Sequence, residues 1–215
     1  PIFVMKFLLS TAKSPEEAES LAGVQSILGK ITVLSASVMM AVSNGLITVG
    51  TYSFGSRDYK RLLKYFLWSI IVTVLFNGIF SLFMIIKPEL IASIYLESKD
   101  DLLLCKKILK IPFYTNWISP VNIMCQILLI STGKPLRSSI SSFVQTFVII
   151  LLALLFSKIY HDSPEKIYYA FNINDILIFI LSSVLTIKTV LNLLRESKKT
   201  LDDTSTLIDQ KPIGF

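Results

Sequence analysis

The stretch from Ile31 to Phe54 contains 24 residues and no charged side chain. About 20 apolar residues, at about 1.5 Å each, cross the roughly 30 Å hydrocarbon core of a bilayer as a helix. Backbone polar groups find no water there, so a span of this length is helical. Because Lys and Arg accumulate on the cytoplasmic side, we predict that this helix enters from outside and ends in the cytoplasm. The basic residues that follow it are Arg57, Lys60, Arg61 and Lys64.

The composition agrees with a membrane protein. Apolar residues make up 53% and charged residues 17% of the chain, whereas soluble domains have about 45–50% and about 25%. The mean hydropathy is +0.65. A soluble all-α protein is disfavoured because its helices would be apolar on every face. The net charge of +6 comes largely from residues at the ends of apolar spans. We therefore predict contact with the lipid bilayer and its anionic headgroups, and no nucleic-acid partner.

The pattern of apolar runs predicts an all-α polytopic membrane helix bundle over residues 1–199 and a polar cytoplasmic tail over residues 200–215. The segment 11–30 is polar, and we predict a short interfacial helix or loop there, with Ser14 and Pro15 as a helix start. We expect the third span to be kinked near Pro120. Five complete spans are predicted near residues 31–54, 65–86, 111–132, 138–157 and 171–194, and a partial one at residues 1–10.

Basic residues orient these spans. The predicted inner junctions carry nine basic and two acidic residues, whereas the predicted outer segments carry nine of each over many more positions. Since the orientation rule counts Lys and Arg close to short loops, the density of basic residues favours a cytoplasmic tail. The inner junctions are residues 57–64, 134–137 and 195–199, and the outer segments are residues 11–30, 87–110 and 158–166.

The sequence carries no signature of an enzyme or a metal site. It lacks the GxSxG, HExxH, Walker and GxGxxG patterns. Its one histidine, His161, cannot form a catalytic triad or a three-ligand metal centre, and we expect it in a solvated loop. We therefore predict that the protein is not an enzyme and holds no metal.

Amide side chains inside the spans are the main candidates for a binding site. Unpaired amides are costly in hydrocarbon, so they should face the bundle or a wet cavity. Two interpretations stay open: interhelical hydrogen bonds, worth about 0.6 kcal/mol each, or the lining of a substrate cavity. Asn122 and Gln126 are four residues apart and share a helix face. The cavity candidates are Asn44, Asn77, Asn122, Gln126 and Gln145, and further polar residues in spans include Asn116, Asn172 and Asn174.

Asp175 is the only acidic residue inside a predicted span. It lies four residues after Phe171, so it is either solvated at the interface or protonated in a step coupled to transport. A stripe of small residues, Ser37, Ala41 and Gly45, should let another helix approach closely.

The tail contains an acidic residue four positions before a Leu-Ile pair: Asp203, Leu207 and Ile208. This pattern matches an endosomal or vacuolar sorting signal, although so short a match also arises by chance. Binding of clathrin adaptors to the tail, with both apolar residues changed to alanine as a control, tests the assignment.

The stretch LITVGTYSFGSRDYKRLLKYF, residues 46–66, resembles the helix-end signature of multidrug and toxic compound extrusion (MATE) transporters. Thr51 and Ser56 stand where the family usually has Gln and Ala. Residues 87–91 (KPELI) and 130–135 (ISTGKP) resemble the family's loops after the next two spans. The matching residues of the signature are Gly50, Gly55, Arg57, Tyr59, Lys60 and Arg61.

The resemblance implies an architecture of six plus six helices in two lobes, with this chain as the C-terminal lobe. Since the chain starts with Pro1, we expect that it lacks its N-terminal part, and the N-terminal lobe of the same protein is its expected partner.

The implied function is antiport, in which organic cations or xenobiotics leave in exchange for protons or sodium, with no other cofactor. The expected location is the plasma membrane or an endosomal or vacuolar membrane. The alternatives are a related flippase for lipid-linked substrates or, because the chain is incomplete, a non-transporting membrane scaffold.

Overall fold

The computed structural model describes the backbone of residues 15–88, 106, 108–159 and 164–209, and the side chains of residues 18–88, 106, 108–159 and 166–199. The partial span at residues 1–10, His161 and the side chains of Asp203, Leu207 and Ile208 lie outside these ranges. The helices are α1 (Pro15–Gly55), α2 (Tyr59–Ile86), α3 (Ser119–Ser131), α4 (Pro135–Ile159) and α5 (Tyr169–Asp209), with a 3-10 helix at Pro164–Tyr168. Residues 108–113 are also helical.

Four helical segments are long and apolar enough to cross a membrane. Helix α3 is apolar too, but it has only 13 residues and continues the helical residues 108–113 after a turn. The prediction of an all-α membrane helix bundle is confirmed. The four candidate spans are Ala18–Gly55, Tyr59–Ile86, Pro135–Ile159 and Lys166–Lys199.

Helix α1 differs from the prediction for residues 11–30. It is one helix of 41 residues that begins at Pro15, so residues 15–30 continue into the first predicted span and form no separate interfacial element. The reason is the spacing of its apolar residues, which fall on one helical face although polar residues separate them. These buried residues are Leu21, Val24, Ile27, Leu28 and Ile31.

The bundle has a hydrophobic cluster at each end. One cluster joins the first half of α1 to Met84, Ile108 and Tyr168. The other joins Leu62, Leu128 and Leu193 to aromatic residues at the junction between α1 and α2. The second cluster lies beside all three predicted inner junctions, so the structure brings these basic segments to one end of the bundle. Which face of the membrane that end meets stays a prediction.

The predicted polar tail begins as part of a helix. Helix α5 continues to Asp209, and therefore takes in the first ten residues of the predicted polar tail. No glycine or proline occurs between residues 169 and 209, so nothing in the sequence interrupts the helix where its apolar span ends.

Helices α1 and α3 lie close together at Gly50. A Cβ atom at this position would lie 3.0 Å from Ser131 Oγ and 3.3 Å from Leu62 Cδ1. The predicted close approach at the stripe of Ser37, Ala41 and Gly45 does not occur among the described residues, because all three are exposed. The small residue that matters for packing within this chain is therefore Gly50.

We expect Gly50→Val to destabilise the bundle by about 1–3 kcal/mol, because overpacking a tight contact forces neighbouring backbone or side chains to move. Gly45→Val is the matched control, since a Cβ at Gly45 meets nothing within 4 Å. The measurement is the thermal unfolding midpoint of the purified protein in detergent. Equal midpoints for the two variants would contradict the assigned contact.

Candidate functional site

The third predicted span is interrupted rather than kinked. Residues 114–118 form turns between the helical residues 108–113 and α3, and Ile118 caps α3 without a side-chain hydrogen bond. Pro112 and Pro120 lie on the two sides of this break. Proline lacks an N–H group and its ring clashes with the preceding turn, so two prolines eight residues apart favour a break over a bend. The predicted kink near Pro120 is therefore a complete break of the helix over residues 114–118.

Asn116, inside the break, donates to three acceptors from α1 and α2. Its Nδ2 lies 3.4 Å from Ser35 Oγ, 3.4 Å from Asn77 Oδ1 and 3.2 Å from Ser81 Oγ. Asn77 Oδ1 also accepts a hydrogen bond from Ser35 Oγ, and Asn77 Nδ2 donates to the Thr73 carbonyl at 2.9 Å. Ser35, Asn77 and Ser81 are at most 3% exposed. We call these four residues, Ser35, Asn77, Ser81 and Asn116, the Asn116 cluster.

The neighbouring residue, Thr115, makes its contacts with α5 instead. Its Oγ1 lies 3.1 Å from Asn172 Oδ1 and 3.2 Å from Asp175 Oδ2. Asn122 Nδ2 on α3 donates to the Asp175 backbone carbonyl at 3.4 Å. We call Thr115, Asn122, Asn172 and Asp175 the Asp175 cluster. It joins a carboxylate to hydroxyl and amide oxygens at a helix break, a set of oxygen ligands that suits a hard cation.

Two buried amide oxygens, one in this cluster and one in the residue before Asp175, have no hydrogen-bond partner among the described residues. Asn122 is 2% exposed and Asn174 is 5% exposed, and the Oδ1 atom of each has no hydrogen-bond partner in the described part of the chain. Buried polar atoms are normally paired. These two acceptors can therefore take a proton donor or a cation without displacing an existing contact.

Asn122 and Gln126, the predicted pair, point to different neighbours. Asn122 contacts α5, whereas Gln126 Oε1 accepts a hydrogen bond of 2.9 Å from Ser142 Oγ on α4. Gln126 lines an open cavity of about 460 Å³ that also includes Ser138 and Phe143. Its Nε2 is buried and has no partner among the described residues. Gln126 therefore combines a cavity position with an unsatisfied donor.

The remaining candidates are spread over three helices. Asn77 is fully buried within the Asn116 cluster. Asn44 on α1 is exposed and Gln145 on α4 is half-buried. The hydrogen bonds of the described residues include none from either of these two side chains; Asn44 takes part only through its carbonyl, which accepts from Thr48 Oγ1 at 3.0 Å. An amide with no partner inside the bundle belongs against a wet surface or another helix rather than against lipid.

Sequence reasoning missed the hydroxyl residues Thr115, Ser35 and Ser81. Hydroxyl side chains in membrane helices usually bond to their own helix, as Ser43 Oγ does with the Met39 carbonyl at 2.7 Å. The presence of a hydroxyl residue therefore does not indicate whether its side chain contacts another helix. The position of Thr115 between two prolines and beside Asn116 was the only available hint.

Comparisons with known proteins agree with this fold. The MatE family model matches residues 2–155. An inward-facing multidrug resistance MATE family transporter of the MOP superfamily has 13% identity and a TM-score of 0.77, over 90% of this chain and 44% of that one. The crystal structure of a MATE protein in complex with MaL6 has 16% identity and a TM-score of 0.77, over 89% of this chain and 43% of that one. A comparison with curated proteins finds no match.

This chain thus spans less than half the length of the solved structures that it resembles. The family match covers well over half of the chain, and the resemblance found in residues 46–66 is confirmed. The chain belongs to the MATE family of transporters.

Proposed function

We propose that the protein containing this chain is a secondary antiporter that exports organic cations in exchange for protons or sodium, with the Asp175 cluster as its coupling site. The observation that carries the proposal is the contact of the Asp175 carboxylate with Thr115, inside a break in a membrane helix. Ionisable residues within membrane spans are rare and mark ion pathways. Broken helices that line a binding site are typical of transporters.

We infer that the substrate binds in a cavity lined by amide side chains of this chain. The Nε2 atom of Gln126 has no partner among the described residues, and Gln126 borders a cavity. The side chains of Asn44, which is exposed, and Gln145, which is half-buried, supply further polar groups. In the proposed arrangement these faces border a cavity between this lobe and a second lobe of the same protein. Rocking of the two lobes around the cavity then exposes it to one side of the membrane at a time. A cytoplasmic tail and a plasma, endosomal or vacuolar membrane location belong to the same proposal.

The test is efflux of a cationic dye from cells or vesicles that contain the full-length protein. We expect efflux that requires an inward proton or sodium gradient and stops when an ionophore removes it. Dye efflux that does not depend on either gradient would contradict antiport. Movement of labelled lipid between leaflets without dye efflux would favour the flippase alternative, and neither activity would favour a scaffold.

A further inference from the structure

Another cavity, with a more polar lining, lies at the basic end of the bundle, away from the Asp175 cluster. Its volume is about 420 Å³. It opens where α1 meets α2, where α3 meets α4, and beside the last turns of the α5 span, so it lies at the level expected for lipid headgroups. Its polar lining includes Tyr59, Lys134, Thr189, Asn192, Arg195 and Glu196.

The cations in this cavity lack acidic partners. Lys134 Nζ donates to Thr189 Oγ1 at 3.1 Å, and Thr189 is 1% exposed, so the ammonium group is fixed against the cavity wall. Neither Lys134 nor Arg195 forms an ion pair with any side chain that the structure describes. Glu196, which borders the same cavity, already has an interaction partner.

The surroundings of Lys134 favour an anion. Burial, together with the nearby Arg137 guanidinium, lowers the pKa of the Lys134 ammonium group below its usual range. A partly buried cation with a second cation nearby is stabilised when a negative group neutralises it. The hydroxyl of Thr189 and the amide of Asn192 add neutral donors beside the cations.

We propose that this cavity binds a phosphate group carried by an anionic lipid headgroup. A basic pocket between membrane helices at the cytoplasmic interface is a recognised place for such headgroups. Lys binds phosphate as a point charge and Arg as a fork of donors. The bound headgroup would connect α5 to the turns that end α1 and α3. The proposal does not depend on the transported substrate.

The test uses the purified full-length protein in neutral detergent and a fluorescent short-chain phosphatidylinositol phosphate as the probe. We expect Lys134→Gln and Arg195→Gln each to weaken probe binding by about tenfold, the effect of losing one charge-assisted contact. Lys134→Arg should retain most of the affinity, and it shows that the site folds. Lys188→Gln is the matched control, because Lys188 is exposed on α5, the helix that carries Arg195, and does not line the cavity.

Competitors distinguish the two sources of phosphate. Displacement by an unlabelled phosphatidylinositol phosphate but not by inorganic phosphate assigns the site to the lipid. Displacement by inorganic phosphate at similar concentration assigns it to the free anion and overturns the lipid proposal. Equal weakening by Lys188→Gln and Lys134→Gln would mean a general attraction to the basic side chains of the protein, and would overturn the site itself.

Discussion

Asp175→Asn is expected to lower the rate of gradient-driven dye efflux by more than about tenfold, because the substitution removes the negative charge that would hold the coupling cation. Asparagine has nearly the same size and keeps an oxygen for the hydrogen bond from Thr115 Oγ1, which lies 3.2 Å from the carboxylate. The fold should therefore survive. The measurement is the initial efflux rate at equal protein levels, with and without imposed proton and sodium gradients.

Two controls isolate the carboxylate. Asp175→Glu keeps the charge and should keep a substantial part of the gradient-driven rate. Glu19→Gln removes an exposed acid from α1 and should change nothing. If Asp175→Asn kept gradient-driven efflux within about twofold of the parent, the coupling site would have to lie elsewhere, whereas transport itself would stand.

Asn116→Leu is expected to destabilise the protein by about 1–3 kcal/mol, because it leaves buried oxygens of the Asn116 cluster without their shared donor. Ser35, Asn77 and Ser81 are at most 3% exposed, so water cannot easily replace the lost amide. The unfolding midpoint in detergent should fall by roughly 2–4 °C for each kcal/mol.

Asn44→Leu is the matched control, since it makes the same chemical change at an exposed position of α1. We expect its unfolding midpoint to stay at the parental value while its dye efflux falls. A midpoint that drops equally in both variants would contradict the structural role assigned to Asn116. Unchanged efflux in Asn44→Leu would remove that residue from the proposed cavity.

The membrane bundle was predictable because it rests on local composition. An uncharged run such as residues 31–54 and the basic residues after it need no tertiary information. The length of α1 was missed because its first half alternates polar with apolar residues, so that Leu21 and Val24 count for little in a hydropathy sum. Their helical spacing was the better indicator.

The candidate site was predictable only in part. Residue type singled out Asp175 and Asn122, but their contact joins residues 53 positions apart in sequence. The role of Thr115 depends on a helix break that two prolines permit but do not dictate. The different neighbours of Asn122 and Gln126 depend on how α4 and α5 pack beside α3, which helical periodicity alone does not specify.

Helix α1 is continuous over its whole length, so a tilt at one of its ends moves the other end. Its 41 residues extend about 60 Å, twice the thickness of the hydrocarbon core. Pivoting such a rod by about 10° at one tip would sweep the opposite tip through an arc of roughly 10 Å. A small tilt of this helix at one face of the membrane would therefore displace its end at the other face by about the width of a small molecule.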